Sequence, residues 1–464
     1  MAATDPDVLI VGAGSAGCVL AARFSADPSR QVTLVEAGAL HVDDWPPELL
    51  DARLIPAAHP ETWQYTSALT TQRTGYLHRG RVVGGSGAVN GGYFLRATPA
   101  DIDGWGTMSY AQLLPAFTRS ETDLNFDGPL HGRDGPLPVR RRTDLHPLSV
   151  AFLDACREAG LPEEPDKNAG SPPGVGPLPL NIRDGVRVNT ALAYLIPVLT
   201  RRNLQVRAGT PVVRVLIEGG RATGVQLADG AVLRAERVVL CAGAIASAQL
   251  LMLSGVGPAG QLRRLGLPVH ADLPVGQGFS DHPDVAVARA DGADLGARRA
   301  PGLEVVLNTA TVELRPYTAA FDQLVPGSRA RAETYVGVAL MQPDSRGELR
   351  LRSAEPADAP QIEHHYLTSA LDLDGLADGV RLAHELLRLP DQPDVPAWVR
   401  ANLGTSQHLV GTCALGPVVD ERFCVLGVQG VQVVDSSVIP VVPSRGPHAT
   451  VIALAEYAAI LGGT

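Results

Sequence analysis

Apolar runs that end in glycine dominate the start of the chain. The run Asp7–Gly14 is apolar after its first residue, which is typical of a strand buried on both faces of a parallel sheet. Small and apolar residues at helical spacing follow in Ser15–Pro28, and a second apolar run covers Gln31–Gly38. Strand, glycine turn, helix and strand together predict a βαβ unit.

The pattern changes beyond this unit. Alternating apolar and polar residues, with turns at glycines, predict a β-meander at 204–243 that returns to a buried strand, and more strands at about 285–351. A last helix is predicted at 446–463, with Pro447 in a favoured first-turn position. Three other segments are predicted: a loop rich in proline and glycine at 160–180, a helix at 370–389, and a strand with a turn at 431–440.

Length and composition narrow the class of protein. A chain of 464 residues is too long for one ordinary core, so we expect two domains or one domain with an insertion. The net charge of −10 argues against a nucleic-acid partner. Five scattered cysteines without a CxxC pair predict neither a disulfide framework nor a metal site. Without a signal-peptide or transmembrane pattern we expect a cytoplasmic protein, and peripheral membrane attachment stays open.

The first glycine turn carries a dinucleotide fingerprint. Gly12, Gly14 and Gly17 form GxGxxG, Ser15 begins the helix, and Glu36 follows Gly17 by 19 residues at the end of the next strand. Such glycines let the backbone approach a pyrophosphate at the helix N-terminus, and the acidic residue accepts the ribose hydroxyls. A glycine turn can also serve close packing alone, but the strand, the helix and the acidic residue together predict a cofactor site. NAD and FAD both stay open at this point.

Further stretches resemble the motifs of one family. Gly80–Gly92 (GRVVGGSGAVNGG) is a loop of small residues that could lie flat against an extended cofactor. With Gly243–Gly257, Pro274–Pro283 and Val433–Pro440, it resembles the GMC flavoprotein oxidoreductases, the family of glucose oxidase, choline oxidase and aryl-alcohol oxidase. Ala248 stands where the family often has proline. The stretches occur in the family's order over nearly the whole chain, so the resemblance favours FAD.

The resemblance implies an α/β (α+β) fold in two domains. A Rossmann-like FAD-binding domain would comprise 1–100, 195–285 and 405–464. A substrate or cap domain, an antiparallel sheet with helices, would be inserted as 101–194 and 286–404.

The resemblance also implies the cofactor contacts. Some family members attach FAD through a histidine just before the loop asparagine, but this chain has Val89 there, which predicts non-covalent FAD. The positions assigned to FAD are Gly12, Gly14, Ser15, Gly17, Glu36, Val83, Gly84, Asn90, Val212, Asp435 and Pro447.

A histidine near the end of the chain is the candidate base. Oxidising an alcohol removes a hydride, which flavin N5 can accept, and a proton, for which imidazole is suited. By the resemblance His408 is the catalytic histidine, and the small residues Gly411–Thr412 would let the chain pass close to the flavin. The alternative is a histidine satisfied by hydrogen bonds in the core. We expect Asp281–His282 to fix a loop beside the flavin domain.

The second catalytic position stays open between two residues. Counting back from Glu456 by the family's spacing reaches Gly446, whereas the nearest histidine is His448. If His448 enters the site, it would hydrogen-bond the substrate oxygen. Otherwise it contacts FAD or caps the helix. The helix N-terminus at Gly446–Pro447 would stabilise the charge of reduced flavin.

The leading functional prediction is FAD-dependent oxidation of a small-molecule alcohol. The lean substrate domain and Val89–Trp105 resemble the GMC members of the mycofactocin system, which would pass electrons from reduced mycofactocin toward respiration. Oxygen, a quinone or a redox protein stay open as electron acceptors. The alternatives are a non-redox lyase of the hydroxynitrile-lyase type and a low-turnover flavin-binding protein; an NAD-dependent dehydrogenase is disfavoured.

Overall fold

A five-stranded parallel sheet forms where the first apolar runs predict it. The computed structural model describes residues 5–289, 301–326 and 333–462. Val8–Val11 and Val32–Val35 are buried at every position, and they pair in parallel as neighbours in the middle of the sheet. The strand order is Leu204–Arg207, Val32–Val35, Val8–Val11, Arg237–Leu240 and Val431–Val433.

Two helices from opposite ends of the described chain pack against each other. The first, Ser15–Phe24, is shorter than predicted and is followed by Ser25, whose N–H bonds back to the carbonyl of Ala21. The last, His448–Gly462, begins two residues later than predicted, so Pro447 lies directly before it. Both helices are buried along almost their whole length, because they are built of small and apolar residues.

A six-stranded antiparallel sheet forms the second large unit. Its helix-facing side packs under the helix Ala370–Leu386, because Val312 and Leu314 point toward that helix. Because successive side chains of a strand point to opposite faces of the sheet, Glu313 and Arg315 lie on the other face. The strand order is Gly404–Thr405, Pro283–Ala288, Tyr335–Leu340, Val312–Pro316, Val305–Asn308 and Val175–Pro177.

Two predictions of local structure were wrong. The segment 160–180 is not entirely loop, because Val175–Pro177 pairs with the edge strand Val305–Asn308. The segment 204–207 does not belong to the meander, because its backbone pairs in parallel with Val32–Val35. The meander itself consists of Val212–Glu218, Arg221–Leu227 and Val232–Arg234. The strands expected at 285–351 are present, while 290–300 and 327–332 lie outside the described residues.

A further mixed sheet and several short elements complete the described chain. That sheet has the order Gln277–Phe279, Gly347–Arg350, Gln361–Glu363, Thr62–Ala68 and Thr74–Gly80. Short strand pairs are Glu121–Asp123 with Leu137–Val139, Ile182–Arg183 with Val186–Arg187, and Val256–Gly257 with Ala271–Asp272. The other α-helices are Pro47–Leu50, Pro99–Asp103, Tyr110–Ser120, Pro147–Glu158, Gly243–Leu253, Ala259–Arg264, Phe321–Leu324 and Val395–Asn402. Single turns of 3₁₀- or π-helix are Gly85–Ala88, Ala191–Leu195, Ile196–Val198 and Ser436–Val438. Among the described residues, every helix is too short or too polar to cross a membrane.

Candidate active site

Each of the three fingerprint positions is glycine for a different physical reason. Gly12 has φ +98°, and a Cβ there would lie 2.6 Å from the carbonyl oxygen of Cys241 on the neighbouring strand. A Cβ on Gly17 would lie 1.9 Å from the carbonyl oxygen of Gly12, so only glycine lets the helix approach the strand. A Cβ on Gly14 would meet nothing closer than Gly85 at 3.8 Å. The protein therefore leaves the Cβ position of Gly14 unfilled, and bare backbone there is available to a ligand.

Glu36 stands where the fingerprint predicts a ribose contact. Its carboxylate accepts hydrogen bonds of 2.8 Å from the backbone N–H groups of Ala13 and Gly38. Burial raises the pKa of Glu36, and these hydrogen bonds oppose the rise. The adjoining loop is held to the same turn, since Gly84 N–H donates to Ala13 and Val83 N–H donates to Ala39. The acidic residue and the loop thus line one edge of the glycine turn.

His448 lies at this turn and carries a buried ring nitrogen without a protein partner. Its Nδ1 is 3.4 Å from Ser15 Oγ, and its ring packs beside Gly87, where a Cβ would lie 3.3 Å from Cε1. Its Nε2 is buried and has no hydrogen-bond partner among the described residues; the same holds for Nδ2 of Asn189. Burial lowers the pKa of His448 to about 4. An unpartnered amide donor and an unpartnered imidazole nitrogen beside open glycine backbone fit the polar pyrophosphate of a dinucleotide such as FAD.

The remaining predicted cofactor residues lie around this turn or at the ends of elements. Asn90 Oδ1 accepts the backbone N–H two residues later, at 2.8 Å, and so shapes the loop. Asp435 accepts 2.8 Å and 2.6 Å hydrogen bonds from the first N–H of the helix Gly243–Leu253 and from Ser247 Oγ. Burial raises the pKa of Asp435, while these bonds oppose that rise. Val212 is half-buried at the start of the meander.

His408 and His282 form a hydrogen-bonded pair, and the pair fixes the tautomer of His408. Nε2 of His282 is 3.0 Å from the carbonyl oxygen of Pro443, which can only accept, so this nitrogen carries the hydrogen. Burial lowers the pKa of His282 to about 4, so its Nδ1 is an acceptor. Nδ1 of His408, 2.9 Å away, must therefore donate. Nε2 of His408 is left as the nitrogen with the lone pair.

Asp281 anchors the backbone of both His282 and His408. Its carboxylate accepts from the backbone N–H of His408 at 2.6 Å and of His282 at 2.7 Å. Thr405 Oγ1 and His364 Nε2 bind its other oxygen at 2.9 Å and 3.1 Å. Burial alone would raise the pKa of Asp281, but the hydrogen bond from His364 and nearby positive charge lower it to about 2. A fixed carboxylate thus anchors the two segments that carry the pair.

The side of His408 that bears Nε2 faces Gly446. A Cβ on Gly446 would lie 3.6 Å from both Nε2 and Cε1 of His408. Of the two residues that the sequence left open for the second catalytic position, the structure brings Gly446 to His408 and His448 to Ser15. Burial first, and then His282 and the charge of Arg315, keep the pKa of His408 well below its ordinary value. The imidazole is therefore neutral at physiological pH.

A charged wall adjoins the histidine pair. Arg315 donates through Nε to Glu313 at 2.6 Å and through Nη1 to Ser406 Oγ at 2.9 Å. Ser406, two residues before His408, donates to Asp284 at 2.8 Å. Burial raises the pKa of Asp284 to about 6 against the charge of Arg315. This wall is the inner face of the six-stranded sheet, so the second large unit supplies one side of the site.

Another buried cluster is explained by ion pairs. Glu121, Asp123 and His131 lie close enough together to share a metal ion. Their carboxylates are instead paired with cations, Arg96 on Glu121 and Arg141 on Asp123 at 2.7 Å. Hydrogen bonds that His131 donates to Asp123, Asp166 and Glu121 raise its pKa to about 10. We therefore treat the cluster as a structural charge network.

A glycine turn shaped for a pyrophosphate and a neutral imidazole with a free lone pair define an oxidoreductase that uses a dinucleotide cofactor. Comparison with known proteins specifies the family. The chain belongs to the GMC oxidoreductases, whose N-terminal family model matches residues 6–284 and whose C-terminal model matches residues 343–455.

Relatives and solved structures agree with this assignment over nearly the full chain. An uncharacterized GMC-type oxidoreductase in the thcA 5′ region of Rhodococcus erythropolis is 45 % identical over 98 % of both chains. Mitochondrial choline dehydrogenase of Mus musculus is 35 % identical over 97 % of this chain and 88 % of its own. The crystal structure of pyridoxine 4-oxidase from Mesorbium loti superposes with a TM-score of 0.92 at 29 % identity, covering 98 % of this chain and 99 % of that one.

Family membership confirms the predicted fold class and FAD as the cofactor. The protein is an FAD-dependent oxidoreductase that acts on CH–OH groups. The sequence had pointed to His408 but assigned Asp281–His282 only to loop geometry, whereas the structure places the His282 ring against His408. The one signal available was an adjacent acid and histidine within a family motif.

Proposed function

We propose that the protein oxidises an alcohol by hydride transfer to FAD, with His408 as the base that takes the hydroxyl proton. The observation that supports this most directly is the His282–His408 hydrogen bond of 2.9 Å, because it leaves the lone pair on Nε2. FAD, held by the glycine turn, would supply the hydride acceptor at its N5. His408 and His448 were the two candidates for the reacting centre; we assign His408 to the base and His448 to the cofactor.

The surrounding residues explain how His408 accepts the hydroxyl proton of the substrate and later releases it. The substrate hydroxyl donates to Nε2 of His408, which becomes imidazolium as the C–H bond breaks. Asp281 and His282 hold the ring so that Nε2 needs no reorientation during the reaction. Burial disfavours the imidazolium, so the proton leaves His408 readily once the product departs. His282 acts through His408 and is a positioning residue.

Anaerobic bleaching of the holoenzyme tests this function. Choline, pyridoxine, benzyl alcohol and reduced mycofactocin form the panel, since the first two are named for relatives and the last follows from the subgroup resemblance. At least one should bleach the flavin, and His408→Asn should slow bleaching at least a hundredfold while retaining FAD. His384→Gln, on the helix Ala370–Leu386, is the matched control. Full bleaching by His408→Asn at the wild-type rate would refute the role of His408.

We also propose that FAD is bound non-covalently. Val89 is buried and its side chain offers no nucleophile to the isoalloxazine. The proposal predicts that acid precipitation releases all the yellow chromophore into the supernatant.

We assign 1–100, 195–285 and 405–464 to the FAD domain and 101–194 and 286–404 to the substrate domain, with limited proteolysis of the holoenzyme as the test.

A further inference from the structure

Side chains at every second position along one strand line the inner face of the six-stranded sheet. Successive side chains of a strand point to opposite faces. Val285 and Val287 belong to the core beneath the helix Ala370–Leu386, so their neighbours in the strand face the other way. The inner row, as we call it, begins with His282, directly before the strand, and continues with Asp284, Ala286 and Ala288. It starts at the histidine pair, because the ring of His282 contacts His408.

Solvent accessibility along the inner row rises with distance from the histidine pair. His282 is fully buried, whereas 26 % of the Asp284 side chain is accessible. Ala286 and Ala288, further along, are exposed. At about 3.4 Å per residue, the row from His282 to Ala288 is roughly 20 Å long. Solvent therefore reaches this face of the sheet from the end at Ala288 inward as far as Asp284.

The neighbouring elements leave the outer part of the inner row open on one side and walled on the other. The short strand Gly404–Thr405 pairs only with the first two residues of this strand, so it leaves the edge free at Ala286. On the other side, Gly337 pairs with Ala286. A Cβ on Gly337 would lie 3.4 Å from Tyr317 Cε2 and 3.6 Å from Arg315 Cβ. Tyr317 and Arg315 thus stand beside the row as a wall.

Asp284 gives this wall an excess of negative charge. Arg315 is balanced by Glu313, which accepts from its Nε at 2.6 Å. Asp284 lies 3.9 Å from the same guanidinium and accepts a 2.8 Å hydrogen bond from Ser406 Oγ. One cation thus faces two carboxylates. Asp284 is the accessible member of the three, since the side chains of Arg315 and Glu313 are only 7 % and 1 % exposed.

We propose that the inner row is the floor of the substrate route to His408, and that Asp284 makes the site prefer alcohols that carry a cationic group, such as protonated amino alcohols. This inference rests on the proposed function of His408. A substrate whose hydroxyl bonds Nε2 of His408 extends along the row, and its ammonium group donates to the accessible carboxylate of Asp284. The same carboxylate repels an anionic alcohol. Asp284 is thus a specificity-determining residue outside the reacting centre.

A charge series of para-substituted benzyl alcohols tests the inference on the holoenzyme. At pH 8, 4-(aminomethyl)benzyl alcohol is cationic, 4-methylbenzyl alcohol is neutral and 4-(hydroxymethyl)benzoate is anionic. Asp284 is ionised at that pH, because its pKa is about 6. Anaerobic stopped-flow flavin reduction gives a second-order rate constant for each alcohol.

Two variants probe the row, and each has a matched control. Asp284→Asn removes the charge, and Asp374→Asn removes an exposed carboxylate from the helix on the other face of the same sheet. Ala286→Trp places a large ring on the floor of the route. Ala231→Trp makes the same change at an exposed position directly before the strand Val232–Arg234. The flavin absorbance of each variant reports whether FAD is retained.

The wild type should react fastest with the cation and slowest with the anion. Asp284→Asn should slow the cation about tenfold or more and the neutral alcohol less than about threefold, because only the cation loses a charged hydrogen bond. Ala286→Trp should slow all three alcohols about tenfold, the lower end of the effect of a misplaced group in a pocket. Neither control should change any rate.

The contrary outcomes separate this inference from the proposed function. If an alcohol of the series or of the earlier panel bleaches the flavin but the cation is not the fastest of the series, the inference is wrong and the function stands. Equal slowing of all three alcohols by Asp284→Asn, the same change in Asp374→Asn, or normal rates in Ala286→Trp also overturn it. If no alcohol bleaches the flavin, both are wrong. Should Asp284→Asn lose FAD, the order of the three alcohols in the wild type decides.

Discussion

Replacing His282 by leucine should slow flavin reduction without removing the base. His282 Nδ1 accepts the hydrogen of His408 Nδ1, and leucine offers no acceptor there. The proton of His408 can then move to Nε2, which is the nitrogen that must hold a lone pair when the alcohol binds. The variant therefore carries an intact imidazole in the wrong tautomer.

The size of the effect follows from the hydrogen bond. A buried donor left without an acceptor costs about 1–3 kcal/mol, and each 1.36 kcal/mol corresponds to a factor of ten. The reactive tautomer of His408 should thus become about 10- to 100-fold scarcer. The carbonyl of Pro443 also loses its donor, so the free energy of unfolding should fall by a similar amount.

Anaerobic stopped-flow reduction by a saturating alcohol measures the limiting rate. His282→Leu should be about 10- to 100-fold slower than the wild type, and His282→Gln should recover most of the loss, because an amide can both accept and donate. Ring ¹⁵N shifts of His408 should report protonation of Nε2 in the leucine variant alone. A leucine variant within twofold of the wild type, or a glutamine variant as slow as leucine, would refute the reasoning.

Three other changes have defined outcomes. His448→Ala should weaken FAD binding about tenfold, measured by quenching of FAD fluorescence during reconstitution, because one buried nitrogen without a protein partner is lost beside the glycine turn. Gly17→Ala should yield apoprotein or aggregate, since its Cβ would lie 1.9 Å from the carbonyl of Gly12. Between pH 6.5 and pH 4 the stability contributed by His282 and His448 should fall by up to about 3 kcal/mol each, because their pKa values drop from 6.5 to about 4 on folding, while the pKa of Asp284, raised to about 6, offsets about one of these two losses. Chemical denaturation across that pH range measures the loss; a flat profile would contradict neutral buried imidazoles.

The local sequence pattern was sufficient to predict the structure where segments adjacent in the sequence also pack against each other. The βαβ unit around Gly12–Gly17 needs only adjacent segments, and its strands, helix and acidic residue all lie where predicted. The strand Leu204–Arg207 was misassigned. Its partner, Val32–Val35, lies far back in the chain, and the alternation of apolar and polar residues does not identify which strand a segment pairs with.

Contacts between residues far apart in the sequence could not be predicted from the local sequence pattern. Nothing local to His282 shows that its ring meets His408, 126 residues away. The small size of Gly411 was attributed to the flavin, yet a Cβ there would meet the carbonyl oxygens of Ile439 and Pro440 at 3.2 Å. Likewise, spacing left the second catalytic position open, and only the packing of the last helix brings Gly446 to His408.

The order of strands in the parallel sheet also bears on how the nascent chain matures. Val8–Val11, made early, pairs with Arg237–Leu240, whose other neighbour is Val431–Val433. The helix that closes the cofactor turn, His448–Gly462, is synthesised later still. A ribosome-bound fragment that stops before Val431–Val433 lacks this edge strand of the sheet and His448. Loading with FAD must therefore wait until almost all of the described chain has been made, and truncated translation products should be colourless.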